Sequence, residues 1–286
     1  MERERLPDGT ERAAGHRVCH DAGMGPRIGV TFRPQLPPEE LRGVVEAADA
    51  AGADELWLWE DCFLEGGLTT SVAALAWSSR LTVGIGVLPV PMRNPALAAM
   101  EAATVARLFP GRFVLGLGHG VQEWMHQIGT GVDSPMTLLR EHATAVRDLL
   151  AGETVDVAGR YVRLDGVTLD WPPAQPPELL LAGRGPRTVA LAGEIAEGVI
   201  LDGNGTLDDV RRARGLVDDA RAASGRPGRG RLVAYAPIET RGAGLDGRVS
   251  DLVAALADAG ADTVVLEAPE DAPDPRPLIE ALPERP

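Results

Sequence analysis

The stretch LTVGIGV at Leu81–Val87, running on through LPVPMRNP to Pro95, decides the architecture. Its β-branched residues and alternating glycines read as a strand. Two prolines close it, and Pro95 opens an Ala/Leu/Val-rich stretch at helical spacing that reaches Phe109. Proline suits the first helical position, where its missing N–H costs nothing. Strand, short loop and helix make one βα unit, and the unit recurs on both sides.

Two further strands lie upstream, Arg27–Phe32 (RIGVTF) and Glu55–Trp59 (ELWLW). Five lie downstream: Arg112–Leu117, Glu178–Leu181, Gly198–Leu201, Arg231–Pro237 and Asp262–Glu267. The helical stretches between and after them are Pro38–Ala51, Leu68–Ser78, Pro135–Leu150, Pro186–Ala192, Leu207–Ala223, Gly247–Ala259 and Pro275–Leu282. The AGAD segments at Ala51–Asp54 and Ala259–Asp262 are helix-end glycines leading into strands. Eight βα units in series predict an α/β fold, a closed (β/α)8 TIM barrel. The alternative is an open doubly wound sheet, but no GxGxxG stands at the first strand–helix turn. A barrel needs roughly 250 residues, and the chain has 286. We expect one barrel over 26–286, behind a disordered leader at 1–25 without periodicity. Short insertions follow the fourth strand: a long loop at Gly118–Ser134, then a hairpin and Pro-rich connector within Glu153–Pro177.

Composition excludes several functions. Formal charge is −14 and the sequence pI about 4.8, so the basic surface that nucleic acid requires is missing. No apolar run reaches the ~18 residues of a membrane span. The start of the chain is charged and has no secretory apolar core. The two cysteines, Cys19 and Cys62, are poorly placed to bridge, which fits a reducing, cytoplasmic compartment. All 28 basic residues are arginine, so a lysine Schiff base is unavailable. No HxH or HExxH offers a metal site.

In a parallel barrel the active site forms at the C-terminal strand ends. There the sequence puts Glu60-Asp61-Cys62 after strand two and Gly86-Val87 at the end of strand three. Gly118-His119-Gly120 follows strand four, and Ala182-Gly183-Arg184-Gly185-Pro186-Arg187 follows strand five. Small residues let a backbone approach an anion, and a helix starting at Pro186 aims free N–H groups at it. Arg184 or Arg187 can add a charged fork. His119 is the best-placed histidine for proton donation near neutral pH, or it is a loop histidine that packs. Trp59, Trp124 and Met125 suggest an apolar or aromatic substrate pocket, or equally are core or subunit-interface residues.

These loops together resemble the luciferase-like monooxygenase family. VGIGVLPVPMRNP (Val83–Pro95), GRFVLGLGHG (Gly111–Gly120) and LLLAGRGPRTVALAGEIAEGVI (Leu180–Ile200) carry the likeness. The Gly-Pro-basic turn is closest to the branch that uses the deazaflavin F420. The resemblance implies a non-prolyl cis peptide at Gly86–Val87 behind the cofactor ring. Gly118 and Gly120 would lie near the cofactor's ribityl chain, and Ala182–Pro186 at its phosphate. It also implies hydride transfer to a small organic substrate and a homodimer. The alternative cofactor is FMN, with oxygen insertion as the reaction. One departure stands out. Many relatives carry Asp-His or Glu-His where this chain has Asp61-Cys62, and a thiol is a poor proton shuttle unless its pKa is lowered. We expect Cys62 to shape the pocket while Asp61 or His119 handles the proton. A Cys62/His119 thiol hydrolase and a cofactor-free binding barrel are the competing readings.

Overall fold

The computed structural model describes residues 25–283. The leader expected at 1–25 falls, but for Gly25, outside the described residues. In chain order the elements are β1 (Arg27–Thr31), α1 (Leu41–Ala51), β2 (Glu55–Leu58), α2 (Gly67–Trp77), β3 (Thr82–Pro89), α3 (Pro95–Leu108), β4 (Phe113–Gly118), α4 (Gln122–Gln127), α5 (Pro135–Leu150), β5 (Val155–Ala158), β6 (Arg163–Val167), β7 (Glu178–Ala182), α6 (Pro186–Ile195), β8 (Gly198–Leu201), α7 (Leu207–Ala223), β9 (Arg231–Pro237), α8 (Leu245–Asp258), β10 (Thr263–Glu267) and α9 (Arg276–Glu280). Eight of the strands close into a barrel in the order β1-β10-β9-β8-β7-β4-β3-β2. Every pairing in it is parallel, and β1 seals on β10 with Arg27 opposite Thr263 and Ile28 opposite Val264. The open doubly wound sheet is thereby excluded.

Local chemistry sets the helix ends. Asn94 accepts the N–H of Ala96 at 2.9 Å and caps α3. Thr206 and Asp209 form a reciprocal capping box on α7, two side chains satisfying orphan donors of the first turn. Gly52 ends α1 at φ 81°, a left-handed conformation that favours glycine. The expected hairpin is present as β5 and β6. It is held to α5 by Glu141, whose carboxylate accepts the N–H groups of Arg160, Tyr161 and Val162 at 2.8–3.0 Å. The expected loop at Gly118–Ser134 needs correcting, because it contains the short helix α4. Among the described residues no helix is long and apolar enough to cross a membrane.

Two hydrophobic layers result. The larger lies between the helices and the outer barrel wall. The smaller fills the barrel with Trp57, Val114, Leu180, Ile200, Val233, Tyr235 and Val265. Trp57 is fully buried, and glycines on neighbouring strands make room for it. A Cβ on Gly84 would lie 2.6 Å from its Cε3, and one on Gly29 would lie 2.9 Å from its Cδ1. Below it, charge closes the N-terminal end of the barrel. Buried Arg231 pairs with Glu55 at 2.5 Å and with Glu178, and donates to Thr263 at 2.9 Å. Glu55 also takes the Trp57 indole N–H at 2.8 Å. A plugged lower end leaves the C-terminal mouth as the open one.

Candidate active site

The floor of the mouth is the end of β3. The Gly86–Val87 peptide is cis, as the resemblance implied, and the register against β4 shifts between Ile85 and Leu88. Backbone groups hold the floor from both sides. Tyr235 Oη donates to the Gly86 carbonyl at 3.2 Å, and the Glu60 N–H donates to the Val87 carbonyl at 3.2 Å. A Cβ on Gly118 would press to 2.7 Å from Val87 Cγ2. Half-buried Trp59, Val87 and Ala182 pack on the inner core, and Trp59 leans on Tyr235 with ring centroids 6.2 Å apart.

Charged groups ring this apolar floor. Trp59 Nε1 donates to Asp61 Oδ2 at 2.9 Å. The Arg33 guanidinium lies 5.4 Å from the Trp59 ring centroid, pairs with Glu267 and donates to the Ala268 carbonyl at 3.1 Å. Burial pushes the Asp61 carboxyl up, opposed by the Trp59 N–H and by Arg33. Burial likewise raises Glu267, and it drives Glu65 to about 7 with help from Asp61. The mouth is therefore poor in solvent and holds carboxyls that resist ionisation.

The sequence candidates separate in space. Glu60 is committed to structure: Arg93 grips it at 2.5 and 3.0 Å, and it accepts the Gly67 N–H at 2.9 Å. Cys62 is buried, with Sγ directed at Met92 Sδ 3.6 Å away. Its thiol pKa is raised by burial and by Glu60 and Asp61, which is the wrong direction for a nucleophile. The Cys62–Phe63 peptide is also cis, which the sequence did not suggest. His119 points at α6, with Nε2 3.2 Å from Thr188 Oγ1. Burial lowers its pKa, opposed by the Pro135 carbonyl. Cys62 and His119 thus engage different partners, and the thiol-hydrolase pairing is not formed. Of the readings open for Met125, the structure takes the core one: it is fully buried, packed beneath Gly120.

The turn after β7 has the form an anion needs. Gly183-Arg184-Gly185 leads into α6 at Pro186, and a Cβ on Gly185 would meet nothing within 4 Å. Arg184 is engaged by Asp202 at 3.2 Å and Asp209 at 3.8 Å. Arg187, exposed in the first turn of α6, makes no ion pair among the described residues. Its charge and the positive end of the helix favour the same kind of ligand, although Pro186 has no N–H and the Thr188 and Val189 N–H groups are taken by the Gly185 carbonyl. A planar ring on the Gly86–Val87 floor with an anionic tail toward Arg187 fits these residues.

Four mouth residues were missed from sequence: Arg33, Glu65, Tyr235 and Glu267. Arg33 and Glu267 sit beyond or at the ends of β1 and β10, where the same strand-end rule would have found them, whereas Tyr235 lies inside β9 among the residues that fill the barrel.

Comparison with known proteins agrees with the fold. The sequence model described as luciferase-like monooxygenase matches residues 21–241. An F420-dependent glucose-6-phosphate dehydrogenase from Mycobacterium avium is 36% identical over 186 residues, covering 58% of this chain and 54% of that protein. A 5,10-methylenetetrahydromethanopterin reductase from Methanolobus tindarius is 27% identical over 176 residues, covering 61% and 53%. The chain spans about half the length of the curated relatives it matches. Among solved structures, an F420-dependent secondary alcohol dehydrogenase with an F420-acetone adduct superposes at TM-score 0.79. It is 16% identical, covering 90% of this chain and 98% of that one. The FMN complex of a 3,6-diketocamphane monooxygenase from Pseudomonas putida superposes at 0.73 with 17% identity, covering 90% and 95%. At these identities the structures speak for the fold alone.

Proposed function

The chain belongs to the luciferase-like monooxygenase family, and from that premise we propose that it is an oxidoreductase using the deazaflavin F420. It would move a hydride between the cofactor and a small organic substrate. The observation that carries the reading is the turn at Ala182–Pro186. Bare backbone, the start of α6 and the uncommitted Arg187 stand together there, within a family whose curated relatives include an F420-dependent enzyme.

The deazaflavin supplies hydride chemistry. This chain's residues supply the rest. Gly86 and Val87 form the ring floor, braced by Tyr235 and by the Glu60 N–H. Gly118 and Gly120 keep the flank open to the chain between ring and phosphate, and Gly183, Gly185 and Arg187 at the start of α6 take the anion. Trp59 and Tyr235 exclude water from one wall. Asp61, fixed by the Trp59 indole, and Glu65 rim the reacting face. Cys62 shapes the loop, and His119 orders the α6 end of the site through Thr188.

The second reading is an FMN monooxygenase, favoured by an FMN-bound enzyme on the same fold. Anaerobic assay separates the two. Reduced F420 and a panel of carbonyl compounds should give oxidised, fluorescent F420 without oxygen; turnover that requires oxygen and FMN would overturn the deazaflavin reading. The exposed face of α2 and α3 bearing Trp77, Leu97 and Met100 suits a second copy of the chain. We place the protein in the cytoplasm on its cysteine usage.

A further inference from the structure

A cleft of about 300 Å³ opens where the turn between β3 and α3 meets α5 and the β5–β6 hairpin. That size is at the lower end for small-molecule sites, roughly 300–1,000 Å³. It is separate from the ring floor, since none of Trp59, Gly86, Val87 and Tyr235 lines it. Val90, Pro95, Val132, Leu138 and Val162 give it apolar walls, and His142 stands among them. His142 is only 1% exposed. Its Nε2 lies 3.2 Å from the Arg93 carbonyl. A carbonyl can only accept, so Nε2 carries the hydrogen. Nδ1 is buried and has no hydrogen-bond partner among the described residues. Desolvation holds the imidazole pKa down to about 4, which leaves Nδ1 a bare acceptor at neutral pH. Buried acceptors in folded proteins are nearly always met by a donor.

The rest of the lining narrows the ligand. Among the described lining residues Arg93 alone is charged, and Glu60 and Glu101 already pair with it. An anion finds no free cation there, and an alkyl amine, charged at neutral pH, finds no carboxylate. Among the described residues no three His, Cys, Asp or Glu stand together to hold a metal ion. Half-buried Tyr161 accepts the Ser134 N–H on its Oη at 3.0 Å, which leaves its own O–H to donate. We propose that this cleft is a second binding site, for a small neutral molecule with a hydroxyl on an apolar body, an alcohol or a phenol, whose O–H donates to His142 Nδ1. The hydroxyl oxygen keeps lone pairs for a donor such as Tyr161, and the apolar body covers Val90, Leu138 and Val162. The site borders the active-site loop through two shared residues. Met92 and Arg93 line the cleft; Met92 Sδ also meets Cys62 Sγ at 3.6 Å, and Arg93 grips Glu60. The proposal is independent of which cofactor the mouth holds.

Phenol is the probe, and fluorobenzene, of similar shape but without the donor, is the control. In proton–nitrogen correlation spectra of the full chain, phenol should shift the His142 Nδ1 resonance saturably, a signal identified by its loss in His142→Phe. Fluorobenzene should bind there about tenfold more weakly or worse, because a site built around a hydrogen bond rejects the analogue that lacks it. The Val162 amide reports occupancy in the variants. His142→Phe should weaken phenol binding by a similar factor, and His142→Gln, which keeps an acceptor, should recover part of it. Equal affinity for phenol and fluorobenzene overturns the proposal, as does a phenol titration that moves Trp59 or Tyr235 but leaves His142 Nδ1 in place. Unchanged phenol affinity in folded His142→Phe overturns it too. If that variant does not fold, the comparison of the two probes on the wild-type protein decides alone.

Discussion

Gly86→Ala tests how tightly the ring floor is built. The added Cβ would fall on the Tyr235 hydroxyl, far inside van der Waals contact, and 3.1 Å from Trp57 Cε3. Neither ring has an easy escape. Trp57 is fully buried and tied to Glu55, and Tyr235 is wedged between Trp57 and Trp59. Overpacking of this kind costs about 1–3 kcal/mol. Tyr235→Phe alone loses one hydrogen bond, to the Gly86 carbonyl, at about 1 kcal/mol. In the double variant the overlapping oxygen is gone, and the nearest remaining atoms are Trp57 Cε3 at 3.1 Å and the ring carbon at 3.2 Å, a tight fit but a possible one. The double variant should therefore lose about 1–2 kcal/mol less than the sum of the single losses. Urea unfolding followed by tryptophan fluorescence gives all three values. Simple additivity would refute the claim that Tyr235 and Gly86 brace each other.

Other consequences reach further from the floor. Arg231→Met should cost about 3–5 kcal/mol, because it strands Glu55 without its main partner inside the barrel; combining it with Glu55→Gln should recover part of that in denaturant titration. His142 is buried and its imidazole is held down to about 4 by desolvation, with the Arg93 carbonyl opposing. The unfolded chain takes up that proton below about pH 6.5 while the folded chain refuses it until about 4. Stability should thus be full above pH 6.5 and fall by up to about 3 kcal/mol on acidification to pH 4, a slope that His142→Gln flattens in urea titrations at each pH. Arg187→Ala should weaken cofactor binding about tenfold, or ~1.4 kcal/mol, in a fluorescence titration. Arg184→Ala should weaken it less, since Asp202 and Asp209 already occupy that guanidinium.

Much of the fold was legible because periodicity and punctuation agreed. Strands Gly198–Leu201 and Arg231–Pro237 and helices Pro135–Leu150 and Leu207–Ala223 fall where the pattern puts them. In each, runs of apolar residues end at Gly, Pro or a capping side chain. Helix α4 escaped because its six residues, QEWMHQ, are too few to show a 3.6-residue period and carry no cap. The floor at Gly86–Val87 and the turn at Ala182–Pro186 were readable because bare backbone demands glycine and because the motifs resemble a known family. Side-chain direction was not readable. Cys62 and His119 occupy mouth positions in the chain, yet one turns to Met92 and the other to Thr188. Glu65 looked like any loop charge, since its unusual proton affinity comes from burial and from Asp61, neither of which a linear sequence displays.

Direct titration of the purified protein with F420 and with FMN, following each cofactor's own fluorescence, tests the central claim most directly. The account predicts F420 binding at least tenfold tighter than FMN, lost in parallel when Arg187 is removed. FMN binding tighter than F420 would contradict it and make oxygen-dependent monooxygenation the working function of this barrel.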